Sequence, residues 1–114
     1  MTERFSGVTV TTTPFLPGYR VKRVLGIVYG MSVRTRGMLG RFVAGIEALV
    51  GGRGSAYLAE LEKARNEALE ELKVNAAKMG ANAVVAVDFE TAEILEGFIV
   101  VTAYGTAVEA ERES

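Results

Sequence analysis

The sequence contains neither cysteine nor histidine, and these two absences exclude several kinds of site. Without thiols or imidazoles there are no disulfides, no zinc-finger sites, no Ser–His or Cys–His nucleophilic pairs and no histidine general bases. An enzyme would have to act through Glu, Asp, Arg, Ser or Tyr, and no arrangement of these residues in the sequence predicts a reaction. We therefore favour a non-enzymatic protein and predict no cofactor.

Long apolar runs are absent as well. No stretch approaches the roughly 20 consecutive apolar residues that a membrane-spanning helix requires. The first five residues, Met1–Phe5, include an acid and lack the apolar run of a secretory signal peptide. We therefore expect a cytoplasmic protein with no membrane partner.

A large apolar fraction is what the chain does have. Its 114 residues are 49% apolar, with a mean hydropathy of +0.22, and this length suits one domain. A small domain of this kind either buries an unusual amount of surface or shares an apolar surface with another copy.

Charge is distributed unevenly along the chain, although the net charge is only −1. Residues 1–53 contain eight basic and two acidic residues, whereas residues 54–114 contain five basic and twelve acidic residues. Halves of opposite charge attract one another within a subunit or between subunits. A dedicated nucleic-acid-binding protein is more often basic overall, so nucleic acid is not a predicted partner.

The segment Ala56–Met79 predicts a long amphipathic helix. Its apolar residues recur every three or four positions, and Ser55 before them is a preferred N-cap residue. Acid–base pairs three residues apart, such as Glu60 and Lys63, are expected on the solvent side of the helix. Gly80 is expected to end the helix, because glycine adopts the left-handed conformation without strain.

Runs of β-branched and apolar residues between turn residues predict four strands. The first two strands are expected to form a hairpin, and the residues after the last strand are expected to form a frayed acidic tail. The predicted segments are the strands Val8–Thr13, Tyr19–Tyr29, Ala83–Thr91 and Phe98–Val108, a loop Ala92–Gly97, a tail Glu109–Ser114 and a short amphipathic helix Met38–Val50. This order predicts one two-layer α/β domain of the α+β type over residues 1–114, with a core at about 8–108 and a mainly antiparallel sheet packed on the long helix.

Four blocks of the sequence resemble the YbjQ-like family, and the similarity runs from about Val8 to Val108. The blocks are Gly26-Ile-Val-Tyr-Gly30, Phe42-Val-Ala-Gly-Ile-Glu-Ala-Leu-Val-Gly-Gly-Arg-Gly-Ser-Ala-Tyr57, Met79-Gly-Ala-Asn-Ala-Val-Val-Ala-Val-Asp-Phe89 and Gly105-Thr-Ala-Val108. The resemblance implies a dodecin-like β-α-β-β core that assembles into closed rings of five subunits. It brings a heavy-metal-binding label, but no reaction and no cofactor. An acidic residue is common just after the second glycine of the first block, where this chain has Met31.

A glycine-rich turn before the long helix, Gly52-Arg53-Gly54-Ser55, is the candidate ligand-binding site. Backbone N–H groups, an arginine and a helix N-terminus are the elements that an anion site requires. The lysine of a Walker loop is missing, so this segment is not a P-loop. A purely structural role is the favoured alternative, because turns and helix caps use the same residues.

Asp88 and Glu90 are the candidate metal ligands. They lie two residues apart on a predicted strand, so their carboxylates point to one face, and Glu93 and Glu96 follow them. Carboxylate oxygens suit a hard cation, or bind a transition metal weakly, whereas a soft heavy metal prefers thiolates. A solvated strand end is the favoured alternative, because exposed carboxylates are common.

Basic residues cluster in and after the second predicted strand. Phosphate groups could contact such a patch, but no RNA- or DNA-binding motif accompanies it. A contact with the acidic helix of a neighbouring subunit is an equally good interpretation. The residues are Arg20, Lys22, Arg23, Arg34, Arg36 and Arg41.

The last predicted strand indicates self-association, because it is apolar on both faces. One face carries Ile99, Val101, Ala103 and Ala107, and the other carries Phe98, Val100, Tyr104 and Val108. Such a strand must be covered on both faces, and the long helix covers only one of them. The short helix is one candidate for the second cover, and a neighbouring copy is the simpler one. We therefore rank a ring-forming oligomer that binds a small ligand or partner at its interfaces first, a carboxylate metal-binding protein second and an enzyme third.

We expect no sub-micromolar affinity for zinc, copper or cadmium, because proteins bind these ions tightly through thiolate and imidazole ligands. Calorimetric titration of the parent protein with Zn²⁺, beside an Asp88→Asn/Glu90→Gln variant, measures this affinity. A tight site in the parent that disappears in the variant would contradict the expectation and identify the two carboxylates as ligands.

Overall fold

The computed structural model describes residues 7–35, 55–95 and 98–114. These residues form β1 Thr9–Val10, β2 Tyr19–Thr35, α1 Ser55–Lys78, β3 Ala83–Leu95 and β4 Phe98–Arg112. The predicted short helix Met38–Val50 lies outside the described residues.

The four strands form one sheet in the order β1-β3-β4-β2. β2 and β4 are antiparallel partners along almost their whole length, from Tyr19 opposite Arg112 to Thr35 opposite Phe98. β3 is also antiparallel to β4, whereas β1 runs parallel to β3. The prediction of an α+β domain with a mainly antiparallel sheet and a long helix is confirmed.

The predicted hairpin between the first two strands is wrong. β1 pairs with β3, and β2 pairs with β4 at the opposite edge of the sheet. The chain after β1 continues along β3, where the Thr13 carbonyl accepts a hydrogen bond from Ala86 and the Thr11 carbonyl accepts one from Val87. These contacts satisfy N–H groups of β3 that a hairpin would leave without a backbone partner.

Three strands extend beyond their predicted ends. β2 continues past Tyr29 to Thr35, and β3 continues to Leu95 through most of the segment predicted as a loop. β4 continues to Arg112 through residues predicted as a frayed tail. Each extension has an antiparallel partner on β4 or β2, so long-range pairing overrides the weak local preference of these segments.

Part of the uneven charge distribution is neutralised within the chain. Arg20 of β2 forms an ion pair with Glu111 of β4 at 2.7 Å, and Arg23 forms one with Glu109 at 3.0 Å. Exposed pairs of this kind contribute at most about 1 kcal/mol each. They nevertheless show that the acidic end of β4 is paired with β2 and is not a frayed tail.

Helix α1 agrees with the predicted helix to within one residue at each end. Its C-terminus is a Schellman motif, in which Ala81 donates to the Ala76 carbonyl and Gly80 donates to the Ala77 carbonyl, each at 3.0 Å. Gly80 has a φ angle of +91°, which is the left-handed conformation predicted for it.

α1 lies very close to β2 on one face of the sheet. At Gly30 there is no room for a side chain, because a Cβ atom would overlap the Ala68 carbonyl oxygen and the Leu72 nitrogen. Asn75 of the helix also donates from Nδ2 to the Tyr29 carbonyl at 2.9 Å. The fully buried helix residues are spaced four apart and are Ala64, Ala68, Leu72 and Ala76.

The sheet therefore has two unlike faces. We call the face that packs on α1 the inner face; on β2 it carries Val28, Gly30 and Ser32, which are all buried. The opposite face is the outer face, and on β2 it carries Ile27, Tyr29, Met31 and Val33, which are all exposed. The alternation follows from the two-residue period of a strand.

Replacing Gly30 with alanine is expected to destabilise the protein by about 1–3 kcal/mol or more, because the added methyl group meets helix backbone that cannot rotate away. The thermal unfolding midpoint, measured at a fixed protein concentration, reports this loss. Val24→Ala, at an exposed residue of the same strand, is the matched control and is expected to change the midpoint less. Equal midpoints for Gly30→Ala and the parent would show that α1 does not contact β2 this closely.

Candidate functional site

The glycine-rich candidate site lies mostly outside the described residues. Gly52, Arg53 and Gly54 are not described, and Ser55 is the first residue of α1. The prediction of an anion-binding or capping turn therefore stays a prediction.

Asp88 and Glu90 are exposed on the outer face of β3, on the same side as each other, as their spacing predicted. Asp88 lies opposite Tyr104 and Glu90 opposite Thr102, while the register places Glu93 on the other face. The Asp88 carboxylate accepts a hydrogen bond from the Phe89 N–H at 2.8 Å. Within the described residues no three carboxylates are close enough to hold a metal ion together, so this donor set does not fit a heavy metal.

A bulge in β3 sets the direction of Asp88. Ala86 and Val87 together lie opposite Gly105 of β4, and Ala86 adopts a left-handed φ angle of +56°. The crowding makes glycine necessary on β4, because a Cβ atom at Gly105 would lie 2.8 Å from Val84 and 2.9 Å from the Val85 carbonyl oxygen. The glycine that opens the Gly105–Val108 block is therefore explained by packing.

Asn82, in the block before β3, also has a structural role. Its Nδ2 donates to the Ala110 carbonyl at 2.9 Å, and its Oδ1 accepts from the Ala110 N–H at 2.8 Å. The amide thus replaces a backbone partner and continues the ladder beyond the start of β3.

A polar cluster that the sequence analysis missed joins β2 to α1. The Arg34 guanidinium lies 3.0 Å from Glu60 Oε2 through Nε and 3.0 Å from Glu67 Oε1 through Nη2. Ser32 donates to Glu67 Oε1 at 2.8 Å, and Arg34 Nη1 lies 3.2 Å from Ser32 Oγ. The Arg34 Nε group is buried and badly aligned for a hydrogen bond, so its contact with Glu60 is ionic.

Two earlier expectations are corrected by this cluster. Glu60 was expected on the solvent side of the helix, but only 14% of its side chain is exposed. Arg34 was expected in a basic surface patch, but only 11% of its side chain is exposed. The sequence signal for this cluster was residue spacing. Ser32 and Arg34 lie two apart on one strand, so both point to the inner face, and Glu60 and Glu67 lie seven apart, so both are on one face of the helix.

The electrostatics of the cluster favour ionised Glu67. The hydrogen bond from Ser32 lowers the pKa of the Glu67 carboxyl, and the hydrogen bond and positive charge of Arg34 lower it further, while partial burial opposes them. The partners of Glu67 are already engaged, so the cluster suits joining the helix to the sheet better than catalysis.

The outer face of β2 is an exposed apolar stripe. Ile27, Tyr29, Met31 and Val33 are 75%, 53%, 48% and 52% exposed, and Tyr104 extends the stripe onto β4. Among the described strands, β2 also lies at an edge of the sheet. We call these five residues the β2 stripe.

The edge beside this stripe is partly protected by side chains. The Tyr29 carbonyl accepts from Asn75, and the Val33 carbonyl accepts from Arg34 Nη1 at 3.2 Å. Side chains thus satisfy two carbonyl groups that point away from β4, as is common on edge strands.

Within the described part of the chain, no helix has the length and apolar content needed to cross a membrane.

Glu67→Gln is expected to destabilise the protein at neutral pH, by less than about 1 kcal/mol because Glu67 is half exposed. The lowered pKa means that ionised Glu67 stabilises the folded protein above the ordinary carboxyl range, and this contribution disappears as pH falls through the lowered pKa. Thermal midpoints of parent and variant should therefore differ at pH 7 and converge in acid. The control Glu70→Gln, which loses only a 3.4 Å exposed contact with Lys73, should change the midpoint less at pH 7. A parent–variant difference that grows in acid would contradict this assignment.

Comparison with known proteins gives a consistent result. A family model of the YbjQ type, described as "putative heavy-metal-binding", matches residues 8–111. Proteins named UPF0145 are 43% identical over 107 residues in Methanoregula boonei (94% of this chain, 89% of that one) and 46% identical over 100 residues in Solibacter usitatus (88% and 89%). A solved structure of a DUF74-family protein of unknown function from Pediococcus pentosaceus has a similar fold, with a TM-score of 0.61, 20% identity and coverage of 92% of this chain and 99% of that one. The chain belongs to the YbjQ (UPF0145) family, as the resemblance of its four sequence blocks predicted.

Proposed function

We propose that the protein is a non-enzymatic, ring-forming homo-oligomer whose copies associate through the β2 stripe. The single observation that supports this most strongly is the exposure of four consecutive outward-facing apolar residues on an edge strand. Contiguous exposed apolar surface of this kind marks an interaction site, and a long uncovered edge strand is otherwise an aggregation hazard.

The size of the hydrophobic contribution supports a stable contact. Complete burial of one large aliphatic side chain contributes roughly 1.5–3 kcal/mol. The β2 stripe contains three such side chains and two tyrosines, all more than a third exposed in the single chain. Tyrosine suits an interface because it has an apolar ring and a hydroxyl group that remains solvated or hydrogen-bonded.

The surface that needs cover lies mainly on β2, and Tyr104 of β4 extends it. Val100 and Val108 of the last strand face outward, yet each is buried within the chain. Val101 faces inward and is 1% exposed in the core beneath α1. A Val101→Lys substitution would therefore damage the fold of each subunit and would not report on self-association.

A ring follows if the β2 stripe contacts a different surface of the next copy. Such a head-to-tail contact closes when its rotation divides the circle. Five subunits is the number that the family resemblance implies. Arg20, Arg23 and Arg34 are paired within the chain, so they are less available to orient the contact than their sequence positions suggested.

Carboxylate metal binding is the second candidate function. Asp88 and Glu90 lie on the outer face, in the same rows of the sheet as Tyr29 and Met31 of the β2 stripe. A neighbouring copy seated on that face would bring further donors near them. The two carboxylates alone suit a weak, oxygen-coordinated hard cation.

Self-association is tested by light scattering at micromolar protein concentration. The parent is expected to have a mass near five times 12.2 kDa. Ile27→Lys/Val33→Lys is expected to dissociate the assembly, because it would bury two unpaired charges in the contact. Both residues are exposed in the single chain, so circular dichroism should report an unchanged fold.

The matched control is Phe15→Lys, which places the same charge on another exposed apolar residue, outside the β2 stripe. This variant is expected to keep the parent mass. A monomeric parent would refute self-association, and an unchanged mass for the double variant would refute the β2 stripe as the contact.

A further inference from the structure

A groove lies on the inner side of the sheet, beside the N-terminal half of α1. It has a volume of about 460 Å³ and is lined by Leu58, Leu61, Glu62, Arg65, Thr91 and Val101. Small-molecule sites in proteins have volumes of roughly 300–1,000 Å³. We call this cavity the α1–β3 groove.

The arrangement of α1 explains why the groove exists. The fully buried residues of the helix, from Ala64 to Ala76, pack mainly on the inner faces of β2 and β4. The four helix residues of the groove follow at intervals of three, one and three positions, so they form a second stripe beside the first. On the sheet, Thr91 and Val101 are cross-strand neighbours on the inner face, and they complete the opposite wall.

Among the described residues that line the groove, three are apolar and two are charged. Leu58 is 61% exposed, which is unusual for a leucine on the side of a helix that faces its own sheet. Val101 is almost completely buried and forms the floor. This combination of apolar walls and a small number of polar groups is typical of ligand pockets.

Arg65 is the positively charged group of the groove. Its guanidinium lies over the Phe89 ring, 5.2 Å from the ring centroid, and this contact holds one face of the guanidinium plane. Among the described residues, no carboxylate forms an ion pair with Arg65. This includes Glu62, which lies one turn earlier on the helix. The N–H edge of the guanidinium therefore remains available to an acceptor.

We propose that the α1–β3 groove binds a small amphipathic monocarboxylate. The apolar chain of the ligand lies against Leu58 and Leu61, and its carboxylate accepts hydrogen bonds from the Arg65 guanidinium. Arginine stacked on an aromatic ring presents a rigid fork that matches a carboxylate. Arg65 offsets the repulsion between Glu62 and one ligand carboxylate, whereas a second negative charge on the ligand meets the repulsion of Glu62 without a second cation among the described lining residues.

This site is distinct from the β2 stripe, because the two lie on opposite faces of the sheet. The described residues that line the groove belong to one copy of the chain. Ligand binding therefore needs no second copy, and either proposal can fail without the other. The dissociated Ile27→Lys/Val33→Lys variant is expected to bind the ligand as the parent does.

The test is calorimetric titration of the full chain with octanoate. Octyltrimethylammonium, which has the same chain length and the opposite charge, and inorganic phosphate, which lacks the apolar chain, are the comparison ligands. Octanoate is expected to bind, and the other two are expected to bind at least tenfold more weakly. Equal binding of octanoate and octyltrimethylammonium, or no octanoate binding at millimolar concentration, would overturn the proposal.

The variant Arg65→Gln is expected to raise the Kd for octanoate about tenfold, as loss of a charged hydrogen-bond partner usually does. The control Arg20→Gln, which also removes one arginine from the surface but lies far from the groove residues in the sheet, should leave the Kd unchanged. Leu58→Glu places a second negative charge at the groove and should weaken octanoate binding further than it weakens octyltrimethylammonium binding. An unchanged octanoate Kd in Arg65→Gln would assign the binding to another surface.

Discussion

The close contact between α1 and β2 at Gly30 is the constraint on which the other features of this structure depend. The helix can approach its own sheet this closely because glycine on the strand faces alanine and backbone on the helix. That approach brings Asn75 to the Tyr29 carbonyl at one point and places Glu60 and Glu67 around Arg34 at another. The hydrogen bonds and ion pairs of β2 with α1 are therefore consequences of small side chains, not independent sites.

The three family blocks that lie within the described residues serve this packing more clearly than they serve chemistry. Gly30 admits the helix, Gly105 admits the bulge in β3, and Asn82 extends the ladder to Ala110. Asp88 and Glu90 supply oxygens without the thiolate or imidazole ligands that soft metals prefer. The heavy-metal label of the family thus finds little support in the donor atoms of this chain.

Among the described residues, one helix packs on a long sheet and leaves two different surfaces exposed. On the outer face it leaves the β2 stripe, which is broad, apolar and at an edge. On the inner face it leaves the α1–β3 groove, which is concave and has one arginine held on an aromatic ring. Their shapes suit different occupants, because a flat apolar strand face fits protein surface and a concave groove fits a small molecule.

Local patterns in the sequence determined α1, its glycine cap, the alternation of faces along β4 and the shared direction of Asp88 and Glu90, because helix and strand periods depend on neighbouring residues. Only the tertiary structure decided that β1 pairs with β3, that the acidic end of β4 pairs with Arg20 and Arg23, and that Glu60 is nearly buried beside Arg34. It also decided that the uncovered apolar face belongs to β2 and that Arg65 lies over Phe89 at a groove. These features depend on which distant segments meet, and no pattern within a single segment records its partner.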